Sequence, residues 1–497
     1  SPEECAYVLD HSQARLVFCE DAAQVAKIEQ VRDRCPMLQH LVTFQPAGDA
    51  ISLDELRQRG AEIPPERVQE RVASARSSEV ATLVYTSGTT GPPKGCMLSH
   101  ENFIATVRMY EQRLGLDRTH SMYQFLPLAH VLARVAQSVV LSVGARLIYW
   151  GGDTSKIVDE LRDAGPTHVP AVPRIYEKMQ GAVIGEISRK PALQRGLFDW
   201  ALRCGGRARG ALRERRQPDL LTDVQYRLAD RLVLSKVRQL FGPGLQLALV
   251  GAAPIAPELL EFFDACGVLV LEGYGLTETC AATALNTVDA LRFGTVGKPL
   301  PGAQVAIADD GEILIRGPHV FEGYYRDPAA TEEVLTADGW LRSGDLGALS
   351  PDGFLSITGR KKDLIITSSG KNITPVNIES ELRENRYITE AVVYGDRRPY
   401  LVAMLTLDRD ESVKLAERFG IATDPVTIAT DPRVHAELQK EVERVNRKFA
   451  RIEQVKRFAI LGHDLTQADG ELTPTLKVKR AIVYDKYRDV FDGLYGQ

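Results

Sequence analysis

The chain has 497 residues, 44% hydrophobic and 26% charged, which allows more than one buried core. Its net charge of −5 and pI near 6.1 exclude a general nucleic-acid binder, which carries a basic excess. Seven scattered cysteines without C-x-x-C spacing read as reduced thiols of a cytoplasmic protein. In chain order, residues 1–45 alternate helical and extended patterns, with a short strand at 14–19. Residues 46–78 are polar and read as a connection containing one short helix. Three apolar runs then end in glycine-rich turns: 80–85, 245–250 and 268–272, the last two followed by Gly251-Ala252-Ala253-Pro254 and Gly273-Tyr274-Gly275. Helical patterns separate the later runs, so the fold class is α/β, with ligands expected beyond the carboxyl ends of the strands. Residues 300–359 shift to short strands with Asp310-Gly311 and Asp352-Gly353 as hairpin signals, a small β-rich subdomain. Residues 360–497 form a last α+β block. In it a long helix opens at Asp431-Pro432, with Val434, Leu438, Val442, Val445, Phe449 and Ile452 as its apolar stripe. The longest nearly apolar stretch, 136–150, is broken by Gly144 and Arg146 and falls short of a membrane span.

The first glycine-rich turn is the densest chemical signal. Tyr85-Thr86-Ser87-Gly88-Thr89-Thr90-Gly91-Pro92-Pro93-Lys94-Gly95 packs hydroxyls, glycines and one lysine directly after a buried strand. Glycines let backbone N–H groups approach an anion, hydroxyls donate to phosphate oxygens, and Lys94 adds positive charge. The string lacks the Walker pattern, because prolines precede the lysine and glycine follows it.

This loop resembles the signature of the adenylate-forming superfamily, which includes acyl-CoA synthetases, and four further motifs follow in order. They are Gly273-Tyr274-Gly275-Leu276-Thr277-Glu278-Thr279, Ser343-Gly344-Asp345, Thr358-Gly359-Arg360-Lys361-Lys362-Asp363 and Pro474-Thr475-Leu476-Lys477-Val478-Lys479-Arg480. The resemblance implies ATP and Mg²⁺ as cofactors and coenzyme A as co-substrate. It implies that Thr86, Ser87, Gly88, Thr89, Thr90, Gly91 and Lys94 grip phosphates, that Gly251, Ala252 and Ala253 form the adenine-side loop with Tyr274 stacked on the base, and that Gly275 and Thr277 also bind the nucleotide. Asp345 and Arg360 would hold the ribose, and Glu278 the magnesium. Lys477 would reach the reacting carboxylate, with Lys479 and Arg480 as neighbouring alternatives, and His130 and Thr86 would complete the catalytic set. Lys362 would be a hinge within 360–363. A mobile C-terminal domain, 360–497, would turn about it against an N-terminal domain, 1–359, and carry Ser369, Gly370 and Lys371 into the thiol step. Plainer readings stand beside these: a helix-start glutamate for Glu278, a core tyrosine for Tyr274, a turn aspartate for Asp345.

The segment His168-Val169-Pro170-Ala171-Val172-Pro173-Arg174, Gly370-Lys371-Asn372-Ile373 and Leu472-Thr473-Pro474-Thr475-Leu476-Lys477 resemble the long-chain fatty acyl-CoA synthetase branch. That implies a fatty acid, ATP and coenzyme A as partners. A fatty acyl-AMP ligase acting on a carrier protein and a silent acyl- or nucleotide-binding regulator are the alternatives. The run Arg203, Arg207, Arg209, Arg213, Arg215, Arg216 is open to two readings, peripheral contact with anionic lipid or a solvated helical face. Relatives carry roughly a hundred residues ahead of the position of Ser1, so the chain reads as opening inside the N-terminal domain.

Overall fold

The computed structural model describes residues 1–86, 92–153, 156–369, 371–473 and 477–496. The chain divides into two compact units. One comprises Ser1–Ile104 with Phe321–Glu333, the other Ala105–Val320 with Val334–Gln497.

The first unit opens on helix Pro2–Ser12, whose start is fixed by a capping box between Ser1 and Glu4. This helix and Ala22–Glu29 bury Ala6, Leu9, Val25 and Ile28 in one core with Cys19 and Leu41, from the parallel strands Leu16–Cys19 and His40–Thr43. The strand expected at 14–19 therefore begins at Leu16. Residues 46–78 hold two helices rather than one, Leu53–Ala61 and Pro65–Ser74. Neither buries a residue, so apolar periodicity carried no signal for them. Their starts are local: the Ser52 hydroxyl accepts from the Glu55 N–H, and Pro65 occupies the first turn of the second. A second sheet in this unit has the order Gly323–Tyr324, Lys94–Ser99, Val80–Thr86, all antiparallel.

The second unit is built on a seven-stranded sheet. Its order is Lys298–Pro299, Ala281–Leu285, Val270–Leu276, Leu247–Val250, His168–Ala171, Ser121–Gln124, Arg146–Tyr149. The last five are mutually parallel. The glycine-rich turn after Val250 leaves the end of its strand, but the one expected at 273–275 does not form: Gly273, Tyr274 and Gly275 continue strand Val270–Leu276 and pair with Leu285, Ala284 and Ala282 of the antiparallel neighbour. Helices Pro173–Ser188, Ala192–Arg213 and Pro257–Ala265 share the core with this sheet through Tyr176, Phe198, Ala201, Leu260 and Phe263.

A four-stranded antiparallel sheet follows, Gln304–Ile307, Glu312–Arg316, Leu341–Leu349, Leu355–Arg360. Both expected hairpins form, with Gly311 at φ +85° and Gly353 at φ +87°, where a side chain would be strained. Beyond it, Ile388–Tyr394, Leu401–Leu407 and Val455–Ile460 form a three-stranded sheet. Helix Pro432–Asn446 packs on its core through Val434, Leu438, Val442 and Val445. The expected stripe is too long by two residues: Phe449 lies past the helix end, only partly buried, and Ile452 is exposed. Asn446 stops the helix, because its side chain accepts from the Val455 N–H and donates to the Val455 carbonyl, turning the chain into the next strand. All seven cysteines are free. Among the described residues no helix is long and apolar enough to cross a membrane.

Candidate active site

In the first unit, Thr86 ends strand Val80–Thr86 and pairs in register with Lys94 across the hairpin. The Lys94 ammonium lies 4.9 Å from the ring centre of Tyr324, a cation–π contact that sequence reading missed because Tyr324 is remote in the chain. Tyr85 backs the hairpin: its hydroxyl meets His11 Nδ1 at 2.8 Å, and its ring would be 3.3 Å from a Cβ placed on Gly95. Ser87, Gly88, Thr89, Thr90 and Gly91 lie outside the described residues, as do Gly370, Pro474, Thr475 and Leu476.

In the second unit, one strand end meets the middle of its neighbour. Val250 pairs with Glu272, and a Cβ on Gly251 would stand 3.3 Å from the Gly273 carbonyl, so the turn after Val250 lies against strand Val270–Leu276. Ala252 holds φ at +68°, an unusual backbone for alanine. Gly275 has no room for a side chain, since its Cβ would fall onto the Ala281 carbonyl at 1.7 Å. Thr277 and Glu278 follow in the short turn Thr277–Thr279.

Asp345 is the hub. It faces Arg360 across paired strands, with Arg360 Nε 3.3 Å from its Oδ1. The Tyr274 hydroxyl donates to its Oδ2 at 2.7 Å, linking two motifs that sequence reading treated separately. Ser343 and Gly344 set the backbone: the Asp345 N–H donates to Ser343 Oγ, whose hydroxyl donates to the Ile313 carbonyl. The Gly344 N–H donates to Glu312, itself bonded to Lys361 at 2.8 Å. Lys361 is therefore a structural lysine, while Lys362 beside it is exposed.

Charge converges on this hub. Burial raises the Asp345 pKa, against the pull of Arg360, the Tyr274 hydroxyl and Lys477, while Glu278 pushes it up further. Burial and the neighbouring carboxylate hold the Tyr274 phenol well above its usual value. Although Lys477 is exposed, protein around its ammonium and the Arg360 guanidinium lower its pKa, with Asp345 opposing. His130 caps helix Val131–Ser142 by position but makes no side-chain cap bond. Burial and then Lys477 lower its pKa, so the imidazole is neutral at pH 7.

The structure thus brings together Tyr274, Glu278, Asp345, Arg360, Lys477 and His130 electrostatically. Of the neighbouring alternatives to Lys477, Arg480 is committed elsewhere. It donates to Glu379 Oε1 at 2.6 Å and also to Oε2, and Glu379 is almost fully buried. Ser369 and Lys371 lie in a turn pinned by Thr367, whose hydroxyl meets Ser369 Oγ at 2.9 Å and accepts from the Lys371 N–H.

Sequence reading missed Glu272. It is desolvated opposite Val250 in the paired strands, and burial raises its carboxyl to about 8. The available signal was an acid directly after an apolar run. The expected basic run also proves mixed. Arg209 and Arg213 converge on the buried carboxylate of Asp264, and Arg207 donates to Gln225.

Residues 1–325 match the family described as AMP-binding enzyme, and residues 362–497 match AMP-binding enzyme C-terminal domain. The chain belongs to the AMP-binding enzyme family. It is 37% identical to the long-chain-fatty-acid–CoA ligase FadD15 of Mycobacterium bovis, over all of this chain and 82% of that one. It is 32% identical to the long-chain-fatty-acid–CoA ligase ACSBG2 of Xenopus laevis, over all of this chain and 72% of that one. The fold is shared with solved structures of low identity. The anthranilate CoA ligase AuaEII in complex with anthranoyl-AMP gives a TM-score of 0.71 at 18% identity, covering 99% of this chain and 82% of that one. The adenylation domain of a Mycobacterium chelonae carboxylate reductase gives 0.76 at 20%, covering 100% and 75%. The α/β expectation and the family resemblance are both borne out.

Proposed function

We propose that this protein is a long-chain-fatty-acid–CoA ligase that works through an acyl-adenylate. The observation that carries the reading is the convergence of Tyr274, Arg360 and Lys477 on one buried carboxylate, Asp345. The full-length similarity to ligases of that name supports the substrate class.

In the first half-reaction a carboxylate oxygen bonds to the α-phosphorus of ATP. The bond from that phosphorus to the bridging oxygen breaks, and pyrophosphate leaves with the electron pair. In the second, the sulfur of coenzyme A bonds to the acyl carbon, the acyl–oxygen bond breaks, and AMP and the thiol proton depart. Both steps need positioning and charge stabilisation more than covalent help from the protein.

Asp345 accepts from the ribose hydroxyls, held in place by Tyr274 and Arg360. Gly251, Ala252, Ala253 and Gly275 leave backbone open to a flat base, with Thr277 at its edge. Thr86, Ser87, Gly88, Thr89, Thr90, Gly91 and Lys94 hold phosphate oxygens. Lys477 offsets negative charge on the carboxylate and α-phosphate, and His130 presents a neutral ring beside it. Glu278 suits magnesium, because its carboxylate is a hard oxygen donor whose charge already reaches Asp345, and one carboxylate with substrate phosphates completes such a site. The ion would supply charge neutralisation of the phosphates. Residues 360–497 act as a lid hinged at Lys362 that delivers Ser369, Gly370 and Lys371 to the thiol step; the separate family match of 362–497 supports this boundary.

The test is pyrophosphate release with fatty acids of graded length, with coenzyme A, with a carrier protein, or with neither. Acyl-CoA formed from long-chain acids is the expected product. Thioester on the carrier alone would mark an acyl-AMP ligase. Absence of acid-dependent pyrophosphate exchange would mark a binding regulator.

A further inference from the structure

Helix Leu220–Ala229 continues through a π-helical turn, Asp230–Leu234, into Ser235–Arg238. Its inner face is anchored: Ala229, Leu234 and Val237 are buried in the core of the large sheet, as is Phe241 in the short turn that follows. Its outer face carries Leu220, Leu221, Val224, Leu228 and Leu232, with exposure falling from 85% at Leu220 to 43% at Leu232. The spacing, largely steps of four, places these residues in one stripe along the helix. A run of five exposed aliphatic residues on one face is not the scattered exposure normal to a protein surface.

The charges around the stripe have one unpaired sign. Arg227, Arg231 and Lys236 are exposed on the same element. Its acids are committed locally: Asp219 caps the Thr222 N–H, Asp223 pairs with Arg227 at 2.8 Å, and Asp230 pairs with Arg238. Among the described residues no ion pair engages Arg231 or Lys236. An apolar stripe rimmed by free cations matches the boundary layer of an anionic bilayer, where leucines enter the acyl region and cations meet phosphates.

We propose that this stripe docks the protein on anionic phospholipid bilayers. The surface argument stands without the fatty-acid reading. The use of such docking, access to a substrate dissolved in the bilayer, rests on it. The arginine run from 203 to 216, open in the sequence to lipid contact or a solvated face, offers fewer free cations, because two of its side chains are tied to Asp264.

The experiment is co-sedimentation with phosphatidylcholine vesicles, with and without phosphatidylglycerol. It compares the unmodified chain, the double variant Leu221→Ser/Leu228→Ser and the double variant Arg231→Glu/Lys236→Glu. Because these side chains are exposed, both variants are expected to keep the melting temperature. The expected result is binding that depends on phosphatidylglycerol and falls about tenfold or more in each variant. Binding unchanged in either variant, or equal on neutral vesicles, overturns the proposal. So does a dimer, seen by light scattering, that Leu221→Ser/Leu228→Ser dissolves, since a second copy would then be the occupant. Acid-dependent pyrophosphate release, measured separately on a water-soluble acid, reports on the catalytic reading and not on docking.

Discussion

Lys477 owes its proposed role to company more than to position in a motif. Its ammonium shares space with Arg360, Asp345 and His130, so its charge acts where the adenylate would form. Lys477→Ala is expected to slow adenylation by about 3 kcal/mol, a factor of roughly a hundred or more, by analogy with losing one oxyanion donor. Thioester formation from supplied acyl-adenylate should change little. Single-turnover assays of each half-reaction check this, and equal losses in both would remove the assigned role. Arg480, three residues on, is excluded from that role by its commitment to Glu379. Sequence alone left Lys479 and Arg480 as alternatives to Lys477; the position of one buried glutamate removes Arg480.

Two elements of the C-terminal block are joined by that same pair. Helix Pro375–Arg383 supplies Glu379, which also accepts from the Val393 N–H, and helix Arg480–Lys486 supplies Arg480. Removing one partner of a buried ion pair leaves an uncompensated charge, so Glu379→Ala is expected to cost about 3 kcal/mol of stability. A denaturant midpoint unchanged from the parent would contradict this. Lys362 lies in the turn Lys361–Asp363, exposed, between one lysine locked on Asp310 and Glu312 and the hairpin of Ile365–Ile366. Lys362→Pro would restrict φ at the proposed hinge. Adenylation is expected to persist while overall acyl-CoA turnover drops about tenfold. Turnover equal to the parent's would argue for a hinge elsewhere. The ion pair of Lys448 with Glu258 links the C-terminal block to the large sheet's helix Pro257–Ala265, while its second partner, Glu381, lies within that block.

At the scale of the molecule, buried histidines and one buried acid give opposite pH dependence. His168 and His319 are buried, and burial lowers each pKa to about 4; His120 adds to the effect at His168. The unfolded state binds these protons more readily, so their contribution is present above pH 6.5 and lost as pH falls toward 4. Glu272 behaves in reverse. Its folded pKa of about 8 exceeds the unfolded value near 4.5, so ionising it weakens the fold progressively from pH 4.5 to above 8. With the opposing acid removed in Glu272→Gln, the melting temperature is expected to fall by about 5 °C or more between pH 6.5 and 4.5. Glu272→Gln should raise it by roughly 5 °C at pH 9 and leave it unchanged at pH 4. Calorimetry across this range checks both arms, and a flat acid limb would sink the histidine account.

What the chain determined by itself was local. Strand Leu247–Val250 ending at Gly251, the Asp-Gly hairpins, and the Asp431 cap with its apolar stripe as far as Val445 are each written in a few neighbouring residues, and each forms; strand Val80–Thr86 also forms but is buried only at Val84, and Gly273–Gly275 proves to be strand. The motifs named Asp345, Arg360, Tyr274 and Lys477 for the same reason. The end of the stripe at Asn446 and the second helix in 46–78 were lost, because one depends on a contact with Val455 and the other buries nothing. Only the tertiary structure decided which charges meet. Pairing of Leu341–Leu349 with Leu355–Arg360 sets Arg360 against Asp345, and a separate sheet end brings Tyr274 to the same carboxylate. It also decided that Glu272 and His319 are desolvated and that Arg209 and Arg213 serve Asp264. Burial and long-range charge depend on the whole fold, and no short stretch of sequence encodes them.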